Sequence, residues 1–315
     1  MRVLIFTDVN AADSAMLFGE TLRLATRHGL EIIGIVTSRP ERFRFARGEK
    51  ARRIARRALI AAGNRDVSFR SVFSPSIDSA RLERRYGIPT FVPPGRDINQ
   101  PEFVETLGRL RPDLALSYNC LGVFRRNLLD TVGQAVNYHA GLLPHYRGVM
   151  ATAFSVLAGE RESGFTFHRM TEKIDEGPIL IEGSIAVLDS TGADLGRRKL
   201  AMALQALPRL FEKIAAKEPG RPPIGTGRYY SVHDWSALIH VDHPEDLTAA
   251  QLSRRIRAFG TVHLCIDGAV YPVTRLRAAG GGHRLAFRTV DGRLLAPDRF
   301  EGLPRAVHAL AARWL

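Results

Sequence analysis

Asn137 and His139 stand two residues apart at the end of an apolar run, in the segment AVNYHAGLLPHYRG of Ala135–Gly148. Alternate residues of an extended chain project to the same side, so an amide and an imidazole share one face there. Such a pair can do chemistry. The amide donates to a carbonyl oxygen that is gaining charge, and the imidazole moves a proton near neutral pH. Gly141 to Pro144 follow as a loop that cannot continue a central strand. A third candidate is Asp175 in MTEKIDEGPIL, where Asp-Glu-Gly interrupts two strand-like runs. An amide, an imidazole and a carboxylate brought together suit acyl transfer to an amine. The carbonyl needs a donor, the departing nitrogen needs a proton, and the carboxylate keeps the imidazolium accessible. Each residue has a structural alternative. Asn137 could serve the following turn, His139 could be a hydrogen-bonded core histidine, and Asp175 could be an ordinary turn residue before Gly177.

The elements around these residues read as an α/β fold. Arg2–Asp8 is a buried strand, a helical pattern covers about Ala12–His28, and Glu31–Thr37 is a second strand. Strand, helix and strand at this spacing predict a doubly wound, mostly parallel sheet, whose ligands bind beyond the carboxyl ends of the strands. Further strands are expected at Thr90–Val92, Pro112–Tyr118, Gly164–Arg169 and Pro178–Ile185. Helices are expected at Arg42–Arg57, Ser76–Tyr86, Gln100–Leu110, Arg126–Asp130, Ala151–Ala158 and Ala193–Lys217. No GxGxxG follows the first strand, which disfavours a dinucleotide cofactor. The Pro- and Gly-rich stretch 218–227 reads as a linker between a catalytic domain, 1–217, and a small β-rich domain, 228–315. That second domain has alternating strands, Asp-Gly hairpin signals at Asp267-Gly268 and Asp291-Gly292, and one helix near Ala249–Phe259.

The 315 residues carry a formal net charge of +13, with a basic run at Arg42–Arg57, and include two cysteines. The charge suits either a phosphorylated partner or a solvated helix face. No apolar run is long enough for a membrane span, and the first residues read as a strand, not a leader. Two distant cysteines give no zinc spacing and fit a reducing compartment, so a cytoplasmic location is expected.

Asn137-Tyr138-His139, then Leu142-Leu143-Pro144-His145-Tyr146-Arg147-Gly148, then Asp175-Glu176-Gly177 resemble the motif of the folate-dependent formyltransferases, whose members act on methionyl-tRNA, glycinamide ribonucleotide or amino sugars. The resemblance covers Pro112–Ile181, and more loosely Tyr229–Ala258. It implies transfer of a formyl group from 10-formyltetrahydrofolate to an amine, with no metal. Asn137 would polarise the formyl carbonyl, His139 would shuttle protons and Asp175 would orient His139. The cosubstrate would touch Asn119, Cys120, Leu121, Gly122, Val123, Leu142, Leu143, Pro144, Thr171 and Ile174, and the acceptor would meet Arg147, Gly148 and His168. The Gly-Thr-Pro segment of the tRNA enzymes is replaced by TDVNAADS, and GTVHL stands where the family has Pro-Trp-Pro-Gly or Pro-Tyr-Pro-Gly. Those departures and His168 favour a small amine, on an amino-sugar nucleotide or an amino-acid derivative. Methionyl-tRNA is the alternative. A formyltetrahydrofolate hydrolase and a non-catalytic folate-binding protein rank below both.

Overall fold

A computed structural model describes residues 1–7, 12–37, 83–84, 86–120, 122–279 and 285–300. Its first strands are β1 (Arg2–Thr7), β2 (Glu31–Val36), β3 (Thr90–Phe91), β4 (Leu114–Tyr118), β5 (Gln134–His139), β6 (Tyr146–Gly148), β7 (Glu162–Arg169) and β8 (Ile179–Ala186). All but β6 join one sheet in the order β3-β2-β1-β4-β5-β7-β8. Strands β1 to β5 run parallel, while β7 pairs antiparallel with both β5 and β8. The expected mostly parallel sheet is present, closed on one side by an antiparallel hairpin.

Alternation along the strands explains why both faces are apolar. Val3 and Ile5 of β1 face a core shared with Leu17 and Leu24 of α1 (Ala12–Ala25). Leu4 and Phe6 face Phe103 and Leu107 of α2 (Pro101–Gly108) and Leu128 of α3 (Arg126–Thr131). A strand covered on both sides has no polar face to show, hence the unbroken run VLIF. α4 (Ala151–Ala158) follows β6, and α5 (Gly192–Ala215) follows β8. α5 sends Leu200, Leu207, Leu210 and Phe211 into the same core as α1. Its first turn is closed by Thr191, whose Oγ1 accepts the Asp194 N–H at 3.1 Å.

Beyond α5 the chain forms β9 (Arg228–Tyr230), α6 (Val232–Ile239), β10 (His240–Val241), α7 (Ala249–Phe259), β11 (Val262–Ile266), β12 (Ala269–Ala278), β13 (Phe287–Arg288) and β14 (Leu294–Phe300). A second sheet has the order β10-β11-β12-β14-β13 and its own core of Val241, Leu252, Val262, Leu264, Val273 and Phe300. The β11–β12 turn has φ of 50° at Asp267 and 76° at Gly268, the twist that an Asp-Gly hairpin supplies.

The stretch 218–227 is tied to the first sheet near its start, where Ile179 and Arg221 exchange backbone hydrogen bonds at 2.7 and 2.9 Å and the Arg169 guanidinium is bound to Glu218 O, while Ile224 is exposed. Helix α6 was not expected, although a Ser231–Asp234 capping box starts it. The expected helices at Arg42–Arg57 and Ser76–Tyr86 lie outside the described residues, apart from 83–84 and 86, which are helical. Among the described residues no helix is long and apolar enough to cross a membrane.

Candidate active site

Strand β5 ends where it must for the Asn137–His139 pair to be useful. Its neighbour β4 ends at Tyr118, and on its other side β7 lies in register, with Asn137 opposite His168 and His139 opposite Thr166. The antiparallel return of β7 into β8 then carries the loop holding Asp175 back over the end of β5. Asp175 adopts a left-handed backbone, φ 54°, which an aspartate tolerates better than most residues. Gly177 is required beside it, because a Cβ there would lie 1.8 Å from Arg169 O.

Four side chains meet as a result. Asp175 Oδ2 lies 3.4 Å from His139 Nδ1, and Asp175 Oδ1 lies 3.3 Å from His168 Nε2. Asn137 Nδ2 lies 3.2 Å from His168 Nε2 and 3.5 Å from Asp175 Oδ1. The two imidazoles and the carboxylate are buried, and Asn137 is half-buried. Backbone groups complete the arrangement. Gly148 N–H donates to Asp175 Oδ2 at 2.7 Å, and His139 Nε2–H donates to Tyr146 O at 2.5 Å.

The backbone of Tyr146–Gly148 is held by β9, since β6 and β9 form a two-stranded parallel sheet. Gly148 has φ 88°, and a Cβ on it would lie 2.2 Å from Tyr230 O. Arg147 does not reach into the site: its guanidinium is paired with Glu176 and donates to Gly227 O at 3.0 Å. Arg147 thereby ties the motif loop to Glu176 and Gly227.

Hydrogen-bond partners fix the protons. With Nε2–H committed to Tyr146 O, the nitrogen of His139 that can gain or lose a proton is Nδ1, beside Asp175. His168 Nδ1 donates to Arg169 O at 2.9 Å, which leaves its Nε2 facing both Asn137 Nδ2 and Asp175 Oδ1. Burial pushes the His139 imidazole below its ordinary value, helped by His168 and Lys199 and opposed by Asp175 and Tyr146 O. Burial alone would push Asp175 up, but His139, His168 and the Gly148 N–H outweigh it and hold the carboxyl down at about 2. Asp175 is thus ionised, and its charge opposes the burial that disfavours the His139 imidazolium. Protonation of His139 is then stabilised by Asp175 and resisted by burial, which poises the ring to take a proton and return it.

The expected cosubstrate contacts divide into two groups. Val123 and Ile174 present exposed apolar side chains, and Asn119, Cys120, Gly122 and Thr171 lie at least partly open beside them in sequence. Leu121 lies outside the described residues. Leu143 and Pro144 are buried in packing: Leu143 N–H donates to Thr166 Oγ1 at 3.3 Å, and Pro144 O lies 1.6 Å from where a Cβ on Gly227 would be. Leu142 packs against Gly164. These three shape the turn after His139, with Leu142 partly open. The contributions of Tyr146 O and Gly148 N–H were not foreseen; the glycine in Arg-Gly was their one visible signal.

A formyl transferase family model matches residues 24–210, more than half of the chain and all four of these side chains. The chain belongs to the formyltransferase family. A GDP-perosamine N-formyltransferase of Brucella melitensis is 33% identical over 183 residues, covering 56% of this chain and 69% of that protein. Among solved structures, a sugar N-formyltransferase from Shewanella matches with TM-score 0.63 at 18% identity, over 87% of this chain and 97% of that one. An N-formyltransferase from Helicobacter canadensis, solved with folinic acid and dTDP-3-aminofucose, matches with TM-score 0.55 at 14% identity, over 94% of this formyltransferase and 98% of that chain. At such identities the structural likeness is one of fold.

Proposed function

We propose that this formyltransferase moves a formyl group from 10-formyltetrahydrofolate to the amino group of a nucleotide-linked amino sugar. The observation that carries the chemistry is the convergence of Asn137, His139, Asp175 and His168 at the end of β5. Support for the acceptor comes from the Brucella relative, named for GDP-perosamine, and from the sugar enzymes among the structural matches. These favour an amino sugar over charged tRNA.

The residues present fit a folate. An open depression of about 500 Å³ is lined by Asn99, Phe124, Arg125, Arg126, Asn127 and Glu172, next in sequence to the exposed Val123 and two residues before the exposed Ile174. Apolar side chains at the surface, flanked by polar and charged groups, suit a flat heteroaromatic ring with hydrogen-bonding edges. Asn119, Cys120, Gly122, Val123, Thr171 and Ile174 would hold it. When bound, the cosubstrate supplies the formyl carbonyl.

Asn137 is the amide donor to the carbonyl oxygen as that oxygen gains charge. When its Nδ2 turns from His168 to the carbonyl, His168 Nε2 keeps Asp175 Oδ1 as its neighbour at 3.3 Å. His139 takes the proton from the attacking amine at Nδ1 and returns it to the departing nitrogen. Asp175 stabilises the imidazolium between those events, and Gly148 N–H keeps Asp175 in place. Burial of His139 and Asp175 excludes water, which favours the amine as nucleophile.

The test is to incubate the purified protein with 10-formyltetrahydrofolate and a panel of GDP- and dTDP-linked amino sugars, with charged initiator tRNA as a separate arm. Tetrahydrofolate and a formylated sugar nucleotide should form in equal amounts, and only when the amine is present. Release of tetrahydrofolate without amine would make the protein a hydrolase, and rapid formylation of tRNA would displace the sugar acceptor.

A further inference from the structure

Behind the turn that follows His139 lies a lysine that none of this chemistry uses. Lys199 projects from α5 and is 0% exposed. Its Nζ donates to Ala140 O at 2.7 Å and to Ser163 Oγ at 3.0 Å. Thr152 Oγ1, from α4, donates to the same Ala140 carbonyl at 3.1 Å. Thr166 Oγ1, from β7, donates to the next carbonyl, Gly141 O, at 2.7 Å. Three elements thus grip two consecutive carbonyls directly after His139. The turn they grip rests on the imidazole: a Cβ on Gly141 would lie 2.8 Å from His139 Nε2 and 2.9 Å from Ala151 Cβ. Where this turn sits decides where the ring can sit.

Packing alone does not call for a lysine here. A buried amine carries a desolvation cost that a methionine of similar length would not. Two acceptors at hydrogen-bond distance match the two hydrogens of a neutral amine. Burial pushes Lys199 down to about 7, against the pull of Asp13 in the first turn of α1.

We propose that Lys199 is a positioning residue of the reaction centre, which holds Ala140 O so that the turn seats the His139 ring between Asp175 and Tyr146 O. The proposal rests on the formyl-transfer reading for its effect on rate, but its effect on His139 is independent of that reading. The titratable groups that face His139 are Asp175 from the loop after β7, His168 from β7 itself and Lys199 from α5. Asp175 raises the ring's affinity for a proton, whereas His168 and Lys199 lower it. Below about pH 7 Lys199 is charged, in the range where His139 titrates.

The experiment compares the full-length protein with Lys199→Met and Thr166→Val. Lys199→Met should lower kcat by about ten- to a hundredfold, as misplacement of a reacting group does, with KM for both substrates nearly unchanged. NMR titration of the His139 ring in the substrate-free protein should show its midpoint moving up, because a cation has been removed. Thr166→Val, close to isosteric, should lower kcat through the same turn, with a smaller shift of the His139 midpoint than Lys199→Met because no charge is removed. Unchanged kcat and an unmoved His139 midpoint in Lys199→Met would reduce Lys199 to a core residue. Should that variant not fold, Thr152→Val, which removes the other donor to Ala140 O, decides, and native kcat there overturns the proposal. If the wild-type protein transfers no formyl group, the functional reading fails, and the titration alone tests Lys199.

Discussion

The two sheets of this protein treat polar residues in opposite ways. In the second sheet the strand β11 sends Val262, Leu264 and Ile266 inward and leaves His263 and Cys265 half-exposed. Among the described residues this second unit buries no titratable side chain; its one buried polar residue is Thr289. In the first sheet the carboxyl end of β5 and its neighbour β7 bury His139, His168 and Asp175, and α5 buries Lys199 behind them. Burying titratable groups costs free energy unless each is bonded or paired. The first sheet meets that cost with backbone groups: Tyr146 O, Gly148 N–H, Arg169 O and Ala140 O each serve one of the four. One sheet therefore gains stability from its core, and the other gives some up to hold a reaction centre.

If that contrast is right, changes in the first sheet should alter rate, and changes in the second should alter stability. The largest effect is expected from His139→Ala, which removes the proton carrier. It should lower kcat by about 10²–10⁴-fold with little change in folate affinity measured by direct binding. Normal turnover would return His139 to the role of a core histidine. Asn137→Asp is next. It keeps the shape but sets an anion where charge must develop, and about 10²–10³-fold in kcat should be lost in a steady-state assay.

Asp175→Asn sharpens the same point through pH. Because burial depresses His139, the acid limb of kcat/KM for the native enzyme should fall below 6.5, with activity rising as the ring loses its proton. The Asp175 carboxylate works against that depression. Its removal should therefore move the limb further down, along with a loss of about tenfold or more in kcat at the plateau. A limb that moved up would mean that Asp175 does not act on His139.

How much of this was legible beforehand follows from the range of each signal. The period-two spacing of Asn137 and His139, and the Asp-Glu-Gly break at Asp175, are local, and both proved to lie where expected. The Asp-Gly hairpin at Asp267-Gly268 was legible for the same reason. The β6–β9 pair was not, since three residues of each strand meet across some eighty residues of chain and each is too short to carry a period. Helix α6 lies in a region read as mostly β, although Ser231-x-x-Asp234 announces a helix start. Lys199 was invisible for a different reason. It follows Arg197 and Arg198, and sequence alone does not show that one of three consecutive cations on α5 turns inward.

The second sheet supplies the other half of the comparison. Leu264→Ala removes a fully buried side chain from its core, and should cost about 2–5 kcal/mol in denaturant unfolding. The kcat of the protein that remains folded should not change. If kcat fell with stability, the two sheets would be coupled more tightly than their separate cores indicate.

The smallest effect expected is at Thr248, which caps α7. Its Oγ1 accepts the Gln251 N–H at 3.1 Å, and Gln251 Oε1 accepts the Thr248 N–H at 2.8 Å. Thr248→Ala removes one half of this reciprocal pair and leaves a first-turn donor without its side-chain partner. The loss should be about 1 kcal/mol, the usual scale for a helix cap, and should be visible as a lower Tm. Helix α7 also touches the first unit: Phe259 packs edge-on against Phe154 of α4, and Gly192 at the start of α5 meets Ala258 O so closely that a Cβ would lie 2.1 Å away. α4 begins directly after the loop that supplies Gly148 N–H to Asp175. A cap that served only the second sheet would change Tm and leave the pH profile of the reaction unmoved. A cap whose loss also shifted the acid limb would show that α7, through Phe154 and α4, helps to set the loop against Asp175. The first outcome is expected, because Gly148 is already fixed by its own pairing with Tyr230 in β9.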